Sequence, residues 1–180
     1  MWADFSLHHA WLIPLLPALA FAIISFFLLR SPWLASRLAI AAMGSAFLIA
    51  LGVGWAVVSK GITVEAPFVM MTVWFSMPGL VASMGVLIDP ISAMMLFVVS
   101  LISFLVLIYS TGYMTDDPGY ARFFAFMSLF AASMLAMVIA TNFLQMFVFW
   151  ELVGLCSYLL IGWYFHKISA REAGKKAFMT

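Results

Sequence analysis

Five long apolar stretches limit what this chain of 180 residues can fold into. They run from about Trp11 to Leu29, Leu38 to Val58, Ile91 to Tyr109, Phe123 to Ala140 and Phe143 to Phe165. A helix needs about 20 mainly apolar residues to cross roughly 30 Å of bilayer hydrocarbon. All five stretches meet that requirement, and a sixth helix opens near Ser169. Charged side chains make up only 8% of the chain, against about a quarter in ordinary soluble domains. A soluble globular fold, a disordered tail and a nucleic-acid binder are excluded on that ground. The single cysteine, Cys156, excludes an internal disulfide and a cysteine-cage metal centre. No metal-ligand spacing, phosphate loop, dinucleotide fingerprint or haem motif is present. The expected fold is an all-α integral membrane protein with about five transmembrane helices and the start of a sixth.

The basic residues set the orientation, because Lys and Arg concentrate in loops on the inner side. Arg30 and Arg37 follow the first stretch, Arg122 precedes the fourth, and Lys167, Arg171, Lys175 and Lys176 follow the fifth. Alternate loops share a side, so these seven lie together and only Lys60 lies opposite. The N-terminus is therefore expected outside. Its first ten residues hold Asp4 and no Lys or Arg, so they do not read as a signal peptide.

The loop from Ser59 to Ile88 is apolar but broken by Glu65, Pro67, Pro78 and Gly79. Met77-Pro78-Gly79-Leu80 fits a type II turn. Its flanks, Met70–Ser76 and Val81–Ile88, carry enough β-branched and aromatic residues for a short β-hairpin between helices 2 and 3. Such a hairpin needs a surface to lie against. Asp89-Pro90 reads as a helix N-cap followed by proline at the first helical position. Ser169 and Glu172 fit a capping box. Ala42, Ala46, Ala50 and Gly54 form one row of small residues, and Ser128, Ala132, Ala136 and Ala140 another. Small residues let helices approach closely in lipid, so both rows are expected packing seams.

Glu151 stands apart from every other acid. It lies inside the fifth stretch, about 13 Å beyond Asn142 at about 1.5 Å per residue, which is near mid-membrane. A lone carboxylate there costs at least about 2.5–3.5 kcal/mol, so it is expected to face the bundle interior and to be functional. At 100° per residue, Phe147, Gly154, Leu155, Tyr158 and Gly162 share its side. Carboxyl groups favour the protonated form when desolvated and the ionised form when a cation approaches. A group that alternates between those states hands on a proton. Tyr158, about two turns inward, is a candidate relay. None of the eight basic residues lies inside a span, so a cation partner for Glu151 must come from elsewhere.

The run Phe149-Trp150-Glu151-Leu152-Val153-Gly154-Leu155-Cys156-Ser157-Tyr158-Leu159-Leu160-Ile161-Gly162 resembles the signature of the chain 5 (L-type) antiporter-like membrane subunits of respiratory complex I, the proton-pumping NADH:quinone oxidoreductase. Asp89-Pro90-Ile91-Ser92 is similar to that family's Asp-x-Leu-Ser start of the third helix, with Ile for Leu. Tyr109–Met114, and then Gly119-Tyr120-Ala121-Arg122-Phe123-Phe124, resemble its Tyr-Met and Gly-Tyr-x-Arg-Phe-Phe elements. Lys176-Ala177-Phe178 looks like the start of its sixth helix. The likeness covers about Trp74 to Thr180, and the first two helices match mainly in layout. The large subunit of multi-subunit cation/proton antiporters shares the Trp-Glu and Ser-Tyr-Leu-Leu-Ile-Gly elements, whereas Gly154-Leu155-Cys156 favours complex I.

The resemblance implies that Glu151 is the family's mid-membrane proton site. It implies a modulating Lys on a seventh helix, and further Lys and His residues that complete the proton path. Family chains are several times longer, so the chain is expected to be an N-terminal fragment. Three divisions are expected: residues 1–73 with two helices and an outer loop, 74–130 as the N-terminal region of the antiporter-like subunit, and 131–180 as the start of the proton-translocating core. The chain itself is expected to hold no cofactor. NADH, FMN, iron–sulfur clusters and quinone belong to other subunits of the translocase. Its expected partners are the other membrane subunits of complex I, protons and the lipid bilayer, with no nucleic acid. A bacterial plasma membrane is the expected location, with an organellar inner membrane as the alternative. Two other readings stay open: a subunit of a cation/proton antiporter, and a structural membrane fragment with a buried neutral Glu.

Overall fold

The computed structural model describes residues 2–77 and 80–179. A short helix α1 (Trp2–His8) leads into α2 (Leu12–Ile23), which continues through a π-helical turn, Ile24–Leu28. Then follow α3 (Pro32–Lys60), strands β1 (Phe68–Met77) and β2 (Leu80–Ile88), α4 (Pro90–Tyr113), α5 (Tyr120–Val138), α6 (Phe143–Ile161) and α7 (Ile168–Met179). The helices α3, α4, α5 and α6 are each long and apolar enough to cross a membrane, and α1 with α2 passes the same test as one span bent by 59°. The chain is a multi-pass membrane protein. Its helices extend beyond the apolar stretches read from sequence at some ends and stop short at others. In particular, α6 ends at Ile161 rather than Phe165.

Local chemistry accounts for the helix ends. Asp89 Oδ1 accepts from Ser92 N at 2.6 Å, and Ser92 Oγ accepts from Asp89 N at 2.8 Å. This capping box satisfies two donors that the first turn of α4 leaves orphaned, and Pro90 occupies the position that has no N–H to lose. The Asp-Pro-Ile-Ser element is thus a helix start. The helix α3 stops at Gly61, whose φ of 63° is left-handed and favours glycine. The expected Ser169 box does not form. The helix α7 begins one residue earlier, at Ile168, which puts Ser169 inside its first turn.

The helix α5 is the centre of the bundle and packs against α2, α3, α4 and α6. Its buried face carries Phe124, Ala125, Ser128, Ala131, Ala132, Leu135 and Ala136. The expected α5 row is therefore buried at Ser128, Ala132 and Ala136. The α3 row is corrected. Its buried stripe runs Ala35, Ala39, Met43, Ala46, Ala50, Val53 and Val57, whereas Ala42 and Gly54 lie off it and a Cβ at Gly54 would meet nothing. A strict i+4 row turns 40° at each step, so it leaves the contact line within about three steps. Alternating steps of four and three follow the neighbour instead.

The two strands form an antiparallel hairpin from Phe68↔Ile88 to Met77↔Leu80, with an irregularity between Val73 and Phe75. The expected type II turn at Pro78-Gly79 lies outside the described residues. Strand β2 buries Ala82, Val86 and Ile88 at alternate positions against the helices, as a half-buried strand should. Strand β1 leaves Val69, Met71, Val73, Trp74 and Phe75 exposed. His8 meets Phe68 edge-on at 5.7 Å, and Asp4 pairs with Lys60. The hairpin, α1 and the end of α3 therefore share one end of the bundle. Of the basic residues expected on the inner side, Arg30 and Lys167 lie in connections at the other end, Arg37 and Arg122 lie near the starts of α3 and α5, and Arg171, Lys175 and Lys176 lie along α7.

Candidate functional site on α6

Asn142 begins α6 by accepting from Gln145 N at 2.8 Å. Glu151 is then the ninth of nineteen residues, halfway along a helix about 28 Å long. Its place along the helix agrees with the count from Asn142. The expected facing does not agree. Glu151 is exposed on the flank of this bundle rather than turned into it. Phe147 and Leu155 on the same side are exposed, at 52% and 39%, and a Cβ at Gly154 would meet nothing within 4 Å. The reason is compositional: α6 is apolar on every side, so it offers no stripe to mark which face turns inward. Only Gln145 and Cys156 are buried on α6.

Glu151 accepts no hydrogen bond and forms no ion pair among the described residues. Tyr158 lies seven residues on, about 10 Å along the axis. Its hydroxyl also has no hydrogen-bond partner there. Its ring meets Phe178 of α7 edge-on at 5.8 Å. The structure thus puts Glu151 and Tyr158 on one open face without joining them directly. The end of that face beyond Tyr158 closes where α7 crosses α6. A Cβ at Gly174 would come within 3.2 Å of Gly162 Cα, so only small residues permit this crossing.

Two connections that fix α6 are absent from the sequence reading. The first clamps its start to the hairpin. Gln145 Nε2 donates to Gly85 O at 2.9 Å, and Gln145 Oε1 accepts from Gly85 N at 3.0 Å. Asn142 Nδ2 donates to Ser83 O at 2.6 Å, and Leu87 N donates to Ile139 O at 3.0 Å. The free edge of β2 is thereby paired, as a covered sheet edge must be. The second connection holds the far end. Trp163 Nε1 donates to Asp117 Oδ2 at 3.1 Å, and Gly119 N donates to Asp117 Oδ1 at 2.7 Å. The turn at Asp116–Gly119 is therefore also a latch between the α4–α5 loop and the end of α6. Amides at the first turn of an apolar helix, and an Asp-Pro-Gly turn opposite a loop Trp, were the only available signals.

Residues 74–124 match the family described as NADH-ubiquinone oxidoreductase (complex I), chain 5 N-terminus. Residues 140–180 match that described as NADH:quinone oxidoreductase/Mrp antiporter, TM. The chain belongs to the chain 5 (L-type) antiporter-like family of complex I. Among its relatives, NAD(P)H-quinone oxidoreductase subunit 5 of the Zygnema circumcarinatum chloroplast is 41% identical over 179 residues, which is 96% of this chain and 25% of the relative. F(420)H(2) dehydrogenase subunit L of Methanosarcina mazei is 47% identical over 171 residues, covering 95% and 24%. The chain thus spans about a quarter of the length of these L-type relatives. The archaeal membrane-bound sulfane sulfur reductase contains a chain of the same fold, with a TM-score of 0.80 at 20% identity over 94% of this chain and 33% of that one. The Mrp complex of a Dietzia species is similar at TM-score 0.56 and 31% identity, over 83% of this chain and 16% of that one.

Proposed function

We propose that this chain contributes to the proton-translocating L-type subunit of a complex I-like quinone oxidoreductase, with Glu151 as its protonatable mid-membrane group. The observation that carries the reading is one carboxylate, half-way along an otherwise apolar spanning helix, on a face the described helices leave open. Insertion of such a residue is costly, and its setting gives it no structural task. Tyr158 on the same face is a relay through intervening water. Electron transfer takes place in other subunits, which hold the nicotinamide site, FMN, iron–sulfur clusters and quinone. NADH is the preferred donor, although the Methanosarcina relative is named for F420H2. The N-terminus and hairpin face outward and the basic end inward, in a bacterial plasma membrane. Residues 1–73, 74–130 and 131–180 serve as the outer-loop region, the antiporter-like N-terminal region and the start of the proton core.

Glu151→Gln in the intact complex tests this. Protons moved per electron pair should fall steeply while assembly persists. Unchanged pumping would falsify the proposal. A second reading, a subunit of a cation/proton antiporter, draws on the likeness to the Mrp complex. It requires cation-dependent proton exchange in vesicles that contain no electron donor or quinone.

A further inference from the structure

We propose that the cleft between α5, α6 and α7 at the basic end binds the phosphate of an anionic phospholipid. The cleft encloses about 250 Å³ and is lined by Arg122, Arg171, Phe126, Tyr158 and Trp163, among others. Arg122 comes from the first turn of α5 and Arg171 from the first turn of α7. Both side chains are exposed, and neither guanidinium has an ion-pair or hydrogen-bond partner among the described residues. Two unneutralised guanidiniums on one cleft form an anion site, and their planar donors suit phosphate oxygens in pairs.

The cleft is held open by its neighbours. The Trp163 indole is bound to Asp117 and meets Phe123 and Phe126 edge-on at 5.6 and 6.2 Å. Arg122 lies over that indole at 5.2 Å, which directs it toward the cleft at little conformational cost. Asp117 is occupied by Trp163 and by its own loop, and neither it nor Glu172 lines the cleft.

A lipid fits better than a soluble anion because of what adjoins the cleft. A second cleft of about 310 Å³ shares Tyr158 and adds Leu155, Lys175, Phe178 and Met179. Its walls are mainly apolar and suit a glycerol backbone and the start of an acyl chain. An indole beside two guanidiniums also belongs at headgroup level. Free phosphate would use the guanidiniums and leave the apolar walls bare. The leaflet follows from the orientation proposed above, but the site itself does not depend on it.

The test uses the full-length chain in its complex, in nanodiscs of equimolar phosphatidylglycerol and phosphatidylcholine. Native mass spectrometry should show phosphatidylglycerol retained in preference. Arg122→Gln with Arg171→Gln should lower that preference about 30-fold, at about a factor of five per interfacial arginine. Arg37→Gln, on the same end of the bundle, should leave it unchanged. Undiminished retention by the double variant overturns the proposal, as does a wild type with no lipid preference. Displacement of the lipid by millimolar inorganic phosphate overturns it in favour of a free-anion site. If the double variant does not assemble, a photoreactive phosphatidylglycerol is cross-linked to the wild-type complex instead. Adducts on Phe126, Tyr158 or Trp163 support the site, and adducts confined to other helices, or none, overturn it.

Discussion

Both ends of the Gln145 amide bind one residue, Gly85, whose own backbone donor and acceptor face away from β1. Gln145 is 5% exposed, so water cannot replace it. Gln145→Ala leaves two backbone groups unsatisfied, at a cost of about 1–3 kcal/mol for each. Amide exchange at Gly85 and Leu87 should accelerate in that variant while exchange in the middle of α5 stays slow. Uniform acceleration across the chain would contradict a local clamp. Gly85 tolerates no larger residue either, because a Cβ would come within 2.3 Å of Met70 O. The contrast with Asp89 shows what a sequence reveals at this scale. The Asp89 cap spans three residues and obeys a local rule, so it could be read. The Gln145–Gly85 pair spans 60 residues, and nothing local distinguishes Gln145 from an ordinary polar residue in a first helical turn.

The short helix α1 is an element the hydropathy pattern does not reveal. Its apolar run is too brief to cross a bilayer, and its anchoring is tertiary. Ser6 is fully buried against α3, where a Cβ on Gly52 would lie 2.1 Å from Ser6 Oγ. Gly52→Val should therefore expel α1 and expose the bonds around Phe5 to limited proteolysis, while α3 to α6 stay resistant. Equal resistance in wild type and variant would count against this docking. The second anchor is the Asp4–Lys60 ion pair, in which Lys60 lowers the Asp4 pKa to about 2. A depressed folded-state pKa means that the stabilisation is complete above the ordinary carboxylate value of 3.8 and is lost as pH falls through about 2. Protease sensitivity of α1 should thus stay flat from neutral pH down to about 4 and rise only below it. Asp4→Asn should raise it throughout the range from neutral pH down to about 4. A rise in wild type already near pH 6 would show that Asp4 is not the group concerned. At this scale the spans and the hairpin were legible because period and length are properties of a single segment. The α3 seam was not, since the line of contact depends on how the neighbouring helix crosses.

For the whole molecule, the open flank of α6 and the segregation of charge belong to one argument. A soluble bundle would set an exposed carboxylate such as Glu151 among other polar side chains. Here Phe147, Trp150 and Leu155 surround it on an exposed face, which is stable only against lipid or further helices. Lipid and protein are both apolar, so hydropathy cannot distinguish the side of α6 that meets lipid from the side that meets helix. The place of Glu151 along its helix was therefore readable and its facing was not. Charge is not ambiguous in this way, because it reports which end of the bundle meets which side of the membrane. Cys156 is the chain's only cysteine and is fully buried, so it contributes little background to labelling. Glu65→Cys, beyond the end of α3, and Ser169→Cys, in the first turn of α7, place exposed thiols at opposite ends. In intact bacterial cells, a membrane-impermeant maleimide should modify the first at once and the second only after permeabilisation. The reverse order would invert the proposed topology and carry the arginine cleft to the outer leaflet. It would leave the proposed depth of Glu151 unchanged, because that residue sits midway along α6 whichever end faces outward.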